Sequence, residues 1–226
     1  MTDDIRSIVK ARLSRLESHC VQLGESASFN WVDDPFRLLF SLARYKFVAK
    51  MLSGLDSVLE IGCADGFGSY LVSKRVKRLT AMDIDSELVN SAIKTVGRYS
   101  TNISFRCGDI CDRGFLQQEA FDGVYLLDVL EHIDPKNEDY FLRSIVNRLK
   151  INGTLIIGLP SLESQKYASQ LSTMGHINCK TQNDLEILCK RFFHNVYLFG
   201  ANDEGIHTGH QGMQHYRLAL CSSQIF

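Results

Sequence analysis

An apolar stretch, Ser57-Val58-Leu59-Glu60-Ile61, runs straight into the small-residue turn Gly62-Cys63-Ala64-Asp65-Gly66-Phe67-Gly68 and then into a helical pattern around 67–75. Small residues there let the backbone turn sharply and approach a ligand without Cβ interference, which is how a parallel α/β sheet opens. The rest of the chain repeats the alternation. Apolar runs at 121–127 and 153–158 read as buried parallel strands, with shorter ones at 78–82 and 103–106. Helical patterns around 86–98, 113–119 and 137–150 separate them. This regular alternation predicts a mostly parallel sheet with helices on both faces. After a helix near 181–192, the strand patterns 195–199 and 216–221 follow with no helix between them, predicting an antiparallel hairpin at one sheet edge.

Amphipathic helices are expected ahead of the sheet over 5–20 and 35–52. The first has Ile5, Ile8, Val9, Leu13 and Leu16 on one face, and the second is entered through Asp34-Pro35. No repeat, low-complexity tract or linker divides the 226 residues, so a single domain is expected. Its parts are N-terminal helices (1–52), a ligand-binding core (53–160), a lid (161–180) and a C-terminal helix and hairpin (181–226).

Composition is ordinary for a globular chain, with 45% apolar and 23% charged residues. A net charge of −1 gives no field to recruit nucleic acid or an anionic membrane. The N-terminus lacks the apolar core of a secretory signal, and no stretch approaches the roughly 20 apolar residues of a membrane span. The 7 cysteines, from Cys20 to Cys221, form no C-x-x-C pair. They are expected to be mostly buried thiols of a reducing cytoplasm.

The turn lacks the Gly-Lys-Ser/Thr ending of a phosphate loop, and no frame supplies G-x-G-x-x-G. From Gly62 the second glycine is Ala64; from Gly66 the third is Leu71. Glu60 and Asp65 would repel a pyrophosphate, whereas carboxylates suit a ligand carrying an ammonium and a sulfonium. Three further acidic positions follow at the ends of successive strands. They are Asp83, placed to accept hydrogen bonds from ribose hydroxyls; Asp109 in Gly108-Asp109-Ile110; and Asp128 after Leu127. That is the edge where open α/β sheets bind ligands.

The series VLEIGCADGFGS, AMDIDSELV, FRCGDI, FDGVYLLDVLEHI and LKINGTLIIGLPS resembles the motif series of class I S-adenosylmethionine-dependent methyltransferases, over about residues 44–160. The resemblance implies a Rossmann-like seven-stranded sheet with an antiparallel last strand, and S-adenosylmethionine as cofactor. It implies that Glu60, Gly62, Cys63 and Gly66 belong to the loop around the methionine part, and that Asp83 holds the ribose. Ile84 would pack on the adenine, with Asp109 at its amino group and Ile110 beside it. The Leu127 carbonyl and Asp128 would lie near the ammonium. Arg44 and Tyr45 either close over the cofactor carboxylate or form a solvated helix face. Ala64 stands where many members have glycine, which should stiffen the loop slightly.

Methyl transfer is an in-line displacement, so an alcohol acceptor benefits from a general base, usually histidine. His132, after the fourth strand, and His176, in the polar lid, are the leading candidates; helix capping and lid anchoring are the structural alternatives. His207 and His210 with Asp203 and Glu204 carry metal-binding side chains, but no regular element fixes their spacing, and no metal site is expected. His215 is a further candidate base. The chain lacks the Asn/Asp-Pro-Pro-Tyr/Phe run and Pro-Cys pair of DNA methyltransferases, a basic stripe, and the paired-glutamate hairpin of protein arginine methyltransferases. A small-molecule acceptor without nucleic acid or membrane is therefore expected, and the N-terminal helices could support a homodimer. The lid sequence LPSLESQKYASQLSTMGHIN resembles bacterial methyltransferases of sugar and surface-glycan biosynthesis. O-methylation of a sugar or sugar nucleotide leads; small-molecule N-methylation and a non-catalytic cofactor-binding module are the alternatives.

Overall fold

A computed structural model describes residues 2–14 and 21–225. The chain opens with helices α1 (Thr2–Ser14), α2 (Glu25–Asp33) and α3 (Phe36–Met51). The alternating part runs β1 (Ser57–Ile61), α4 (Ser69–Ser73), β2 (Arg78–Asp83), α5 (Ser86–Lys94), β3 (Ile103–Cys107), β4 (Phe121–Leu127), α6 (Glu138–Val146) and β5 (Leu149–Pro160). The remainder is α7 (Gln170–Gly175), α8 (Gln182–Lys190), β6 (Phe193–Asn202), β7 (Gly205–His207) and β8 (Tyr216–Gln224).

The strands form one sheet in the order β3-β2-β1-β4-β5-β8-β6-β7. The first five are parallel, so their carboxyl ends share one edge. β8 inserts antiparallel between β5 and β6. Alternation along β1 divides the core between the two faces. Leu59 and Ile61 join the α6 and α8 side with Leu142, Ile145 and Leu188. Val58 joins the α3 and α4 side with Val48, Leu52, Val72 and Tyr125.

Four expectations are corrected. The sheet has eight strands rather than seven, because the segment between the two expected strands folds back at Asp203 (φ 48°) and adds β7 to β6. The expected antiparallel pair, β6 and β8, stands at that edge, and β7 extends it only beside Gly200–Asn202. The helix expected at 113–119 is a run of turns: Leu116 takes a left-handed φ of 51°, and the Asp112 carboxylate accepts the Gly114 N–H at 2.9 Å. The Arg148 guanidinium then pins this segment through the Phe115 carbonyl at 2.7 Å. The apolar face of α1 does not pack, since Ile5, Ile8 and Val9 are about half exposed. Residues 15–20, with Leu16, and the Leu13 side chain lie outside the described residues. Finally, only three of the six described cysteines are buried, and Cys107 is exposed. Among the described residues no helix is long and apolar enough to cross a membrane.

Candidate functional site

The turn after β1 is built by backbone. Gly62 and Gly66 sit at φ 78° and 74°, conformations that a side chain disfavours. The Gly62 and Cys63 N–H groups both donate to the Met82 carbonyl, at 2.8 and 2.9 Å, tying the loop to β2. A Cβ at Gly62 would stand 2.3 Å from the Val129 side chain. Ala64 also adopts a left-handed φ of 47°, and its N–H donates to Asp83 Oδ2 at 2.8 Å. Asp83 Oδ1 accepts the Asp85 N–H at 3.0 Å, and the Asp85 carboxylate caps α5.

A cleft of about 430 Å³ opens beside this loop. Of the residues expected at a cofactor, Gly62, Asp83, Ile84, Asp109, Ile110 and Asp128 line it. Ile84 stands 72% exposed, an apolar surface that the cleft leaves uncovered. Gly66 packs behind, against Phe105 and Ala92, and Leu127 is buried in the core. The Cys63 side chain is likewise turned into the core, where burial pushes its thiol far up.

The two acidic residues of the loop face elsewhere. Glu60 points to the α3 and α4 side, fully buried, where burial pushes its carboxyl up to about 7. The hydroxyls of Ser69, Tyr125 and Tyr45 hold it lower than burial alone would, and Asp83 works against them. Tyr45 reaches this position because residue 68 is glycine; a Cβ there would meet its ring at 2.2 Å. Asp65, also buried, caps a distant helix: its Oδ2 accepts the Ala27 N–H in the first turn of α2 at 2.7 Å.

Arg44 and Asp128 meet at the end of β4, with Arg44 Nη1 3.1 and 3.0 Å from the two carboxylate oxygens. The guanidinium lies 3.6 Å over the Tyr216 ring. Burial opposes its charge most strongly, but Asp128, Tyr216 and Glu131 together outweigh it and raise its pKa.

A second pocket, of about 300 Å³, lies between α2, α3 and the lid. Its lining includes Asn30, Arg37, Ser41, Glu131 and His176, and it shares Asp128 and His132 with the cleft. The rings of His132 and His176 are 5.3 Å apart. His132 Nδ1 faces the Gly175 carbonyl at 2.9 Å, and His176 Nδ1 faces Gln165 Oε1 at 3.0 Å. Burial, then His132, lowers the His176 pKa. Asn178 fastens the returning end of the lid: its N–H donates to the Glu131 carbonyl at 2.9 Å and its side chain to Glu138 Oε2 at 3.1 Å. Glu131 is fully buried, and neither carboxylate oxygen has a partner in hydrogen-bond geometry. Burial, with Asp128 adding to it, pushes this group up to about 9, while its own backbone and Arg44 draw it partly back.

His207, His210 and His215 do not join this pocket. Their ring nitrogens accept backbone N–H groups of Gly209, Gly212 and Asp203. Sequence reasoning missed Asn30, Arg37, Ser41 and Tyr216. A signal existed for two of them, because Arg37, Ser41 and Arg44 make a polar stripe at i, i+4 and i+7 along the first half of α3, whose other residues there are apolar.

Residues 58–153 match the family model described as a methyltransferase domain. The chain is 31% identical over 134 residues to nodulation protein S of Bradyrhizobium diazoefficiens, covering 56% of this chain and 63% of that protein. It is 30% identical over 119 residues to a ubiquinone biosynthesis O-methyltransferase of Xanthomonas campestris pv. campestris, covering 52% and 48% respectively. The chain thus spans about half to under two thirds of these curated relatives. In fold it is similar to the N-methyltransferase NodS from Bradyrhizobium japonicum WM9, solved with S-adenosyl-L-homocysteine. The TM-score is 0.66 at 18% identity, over 88% of this chain and 93% of that one. Residues 58–153 therefore match the methyltransferase-domain family, and the chain shares the fold of a methyltransferase solved with S-adenosyl-L-homocysteine.

Proposed function

We propose that the protein transfers a methyl group from S-adenosylmethionine to a hydroxyl of a small acceptor, with a sugar or sugar nucleotide as the leading class. The observation that carries this reading is the junction of cleft and pocket at Asp128 and His132. It brings a space for the donor against a space lined by two imidazoles.

The residues fit the donor. Gly62 exposes backbone where a side chain would collide, and Ile84 presents an uncovered apolar surface for a base. Asp83, although bound to two amides, keeps lone pairs for ribose hydroxyls. Asp109 and Ile110 line the same cleft, which supports an adenine amino group donating to the carboxylate with the isoleucine packed nearby. Arg44 and Asp128, paired with each other, offer opposite charges to the carboxylate and ammonium of an amino-acid moiety. The bound sulfonium supplies an electrophilic methyl: the acceptor O–C bond forms as the S–C bond breaks, with the electron pair left on sulfur. The chain's own task is to position the hydroxyl and take its proton. His176 and His132 line that space. With Nδ1–H donating to an oxygen, each keeps an Nε2 lone pair to receive the proton.

A second reading, N-methylation of a small amine, is supported by the likeness to NodS, described as an N-methyltransferase. It asks for less proton handling. Titration calorimetry with S-adenosylmethionine, followed by labelled-methyl transfer to panels of nucleotide sugars and small amines, separates the readings. Transfer to hydroxyl acceptors is expected. Transfer confined to amines favours the second reading, cofactor binding without any transfer leaves a non-catalytic module, and no cofactor binding overturns all three.

A further inference from the structure

Glu131 is a carboxylate without a purpose in the scheme above. It sits in a single helical turn, Leu130–His132, after β4, fully buried and with both oxygens unpartnered. An isolated buried carboxylate is costly, and proteins retain one where something pairs with it. Its neighbours are metal-binding side chains: one ligand atom each of Glu131, His132 and His176 lie within 4.8 Å of one another. Ligand atoms held tetrahedrally at about 2.0–2.2 Å from one divalent ion stand about 3.4 Å apart, so these three must close by up to about 1.4 Å, within reach of side-chain rotation on the partly exposed lid.

Both imidazoles keep one ring nitrogen available. Each Nδ1 faces an oxygen of the lid, that of Gly175 or of Gln165, which fixes the proton on Nδ1 and leaves Nε2 as the free donor. Histidines that ligate metals are commonly held in this way by a carbonyl behind them. The nearby cation, Arg44, makes its hydrogen bonds to Asp128 and none to Glu131. All three residues line the 300 Å³ pocket, so further coordination positions would face it.

We propose that Glu131, His132 and His176 form a two-histidine, one-carboxylate site for a divalent transition-metal ion, set at the wall of the acceptor pocket. Its role, though not its existence, rests on the function proposed above. An ion there takes the acceptor hydroxyl as a further ligand and lowers its pKa, and the proton leaves to solvent. The imidazoles then act through the ion rather than as bases. This revises the sequence-based expectation of no metal, which considered a different loop.

The test uses the full chain treated with chelator and titrated with Co²⁺, read by visible d–d absorption and by calorimetry. One equivalent is expected to bind. His176→Ala, on the partly exposed lid, and Glu131→Gln are expected to weaken binding at least about tenfold, the scale on which even an outer-shell partner matters. Where Glu131→Gln fails to fold, His176→Ala carries the test alone. No Co²⁺ binding by the wild type, or unchanged affinity in the folded variants, overturns the site. S-adenosylmethionine is titrated into the same chelated protein. Cofactor binding without Co²⁺ binding rejects the metal alone, whereas Co²⁺ binding without cofactor binding rejects the function alone.

Discussion

The cleft beside the glycine turn and the pocket under the lid share a wall at Asp128 and His132, yet they are built by opposite means. The cleft is backbone work. Its floor comes from the carboxyl ends of neighbouring parallel strands whose register is fixed by the sheet, with Ile61 beside Met82 on one side and Leu126 on the other. The pocket is side-chain work, from Asn30, the Arg37–Ser41–Arg44 stripe, the turn after β4 and His176, segments that no shared ladder aligns. A sheet edge therefore specifies the cleft, the proposed donor space, with few residues, and the proposed acceptor space depends on attachments that can be exchanged without disturbing it.

If the two halves are this separable, His176→Ala should reduce turnover by about 10²–10⁴, the usual weight of activating an acceptor proton, whether the imidazole takes it directly or holds the ion that does, while cofactor affinity stays within about twofold. Single-turnover kinetics and calorimetry read the two quantities. A parallel loss of cofactor affinity would break the comparison. Gly62→Ala is the reciprocal case. It places a Cβ 2.3 Å from Val129 in a left-handed backbone, so cofactor affinity should fall about a hundredfold, equivalent to about 3 kcal/mol. Co²⁺ binding at the lid side should survive. The smallest effect is expected of Ala64→Gly. Relief of the φ 47° conformation stabilises by up to about 1 kcal/mol, less the entropy glycine adds to the unfolded chain. This corresponds to a rise in Tm of about 2–4 °C by calorimetry. A fall would mean that the alanine methyl makes a contact worth more than the strain.

The same contrast governs what could be read from residues alone. The spans of β1 and β4 follow from contiguous apolar runs, and Asp83, Asp109 and Asp128 stand at strand ends because the alternation places them there. Side-chain direction was harder. Glu60 looks like a ligand-facing acid next to a glycine turn, but β1 alternation sends it to the face shared by Val58 and Tyr125. Helix α2 went unread because its nine residues carry no clean apolar stripe. β7 is three residues long, too short for any period to register. The supposed helix at 113–119 failed on a single left-handed leucine, which composition does not announce.

The capping of α2 by Asp65 has a consequence for how acceptor choice can change. A side chain at Gly24 would come within 2.5 Å of Asp65, and Asp65 in turn holds the first turn of the helix that carries Asn30. Positions 24 and 65 are thus locked together across 41 positions of sequence, although neither touches the pocket. A graft that brings a relative's α2 onto this chain to alter selectivity must carry both residues as a unit. Swapped singly, either one unseats the wall it was meant to reshape.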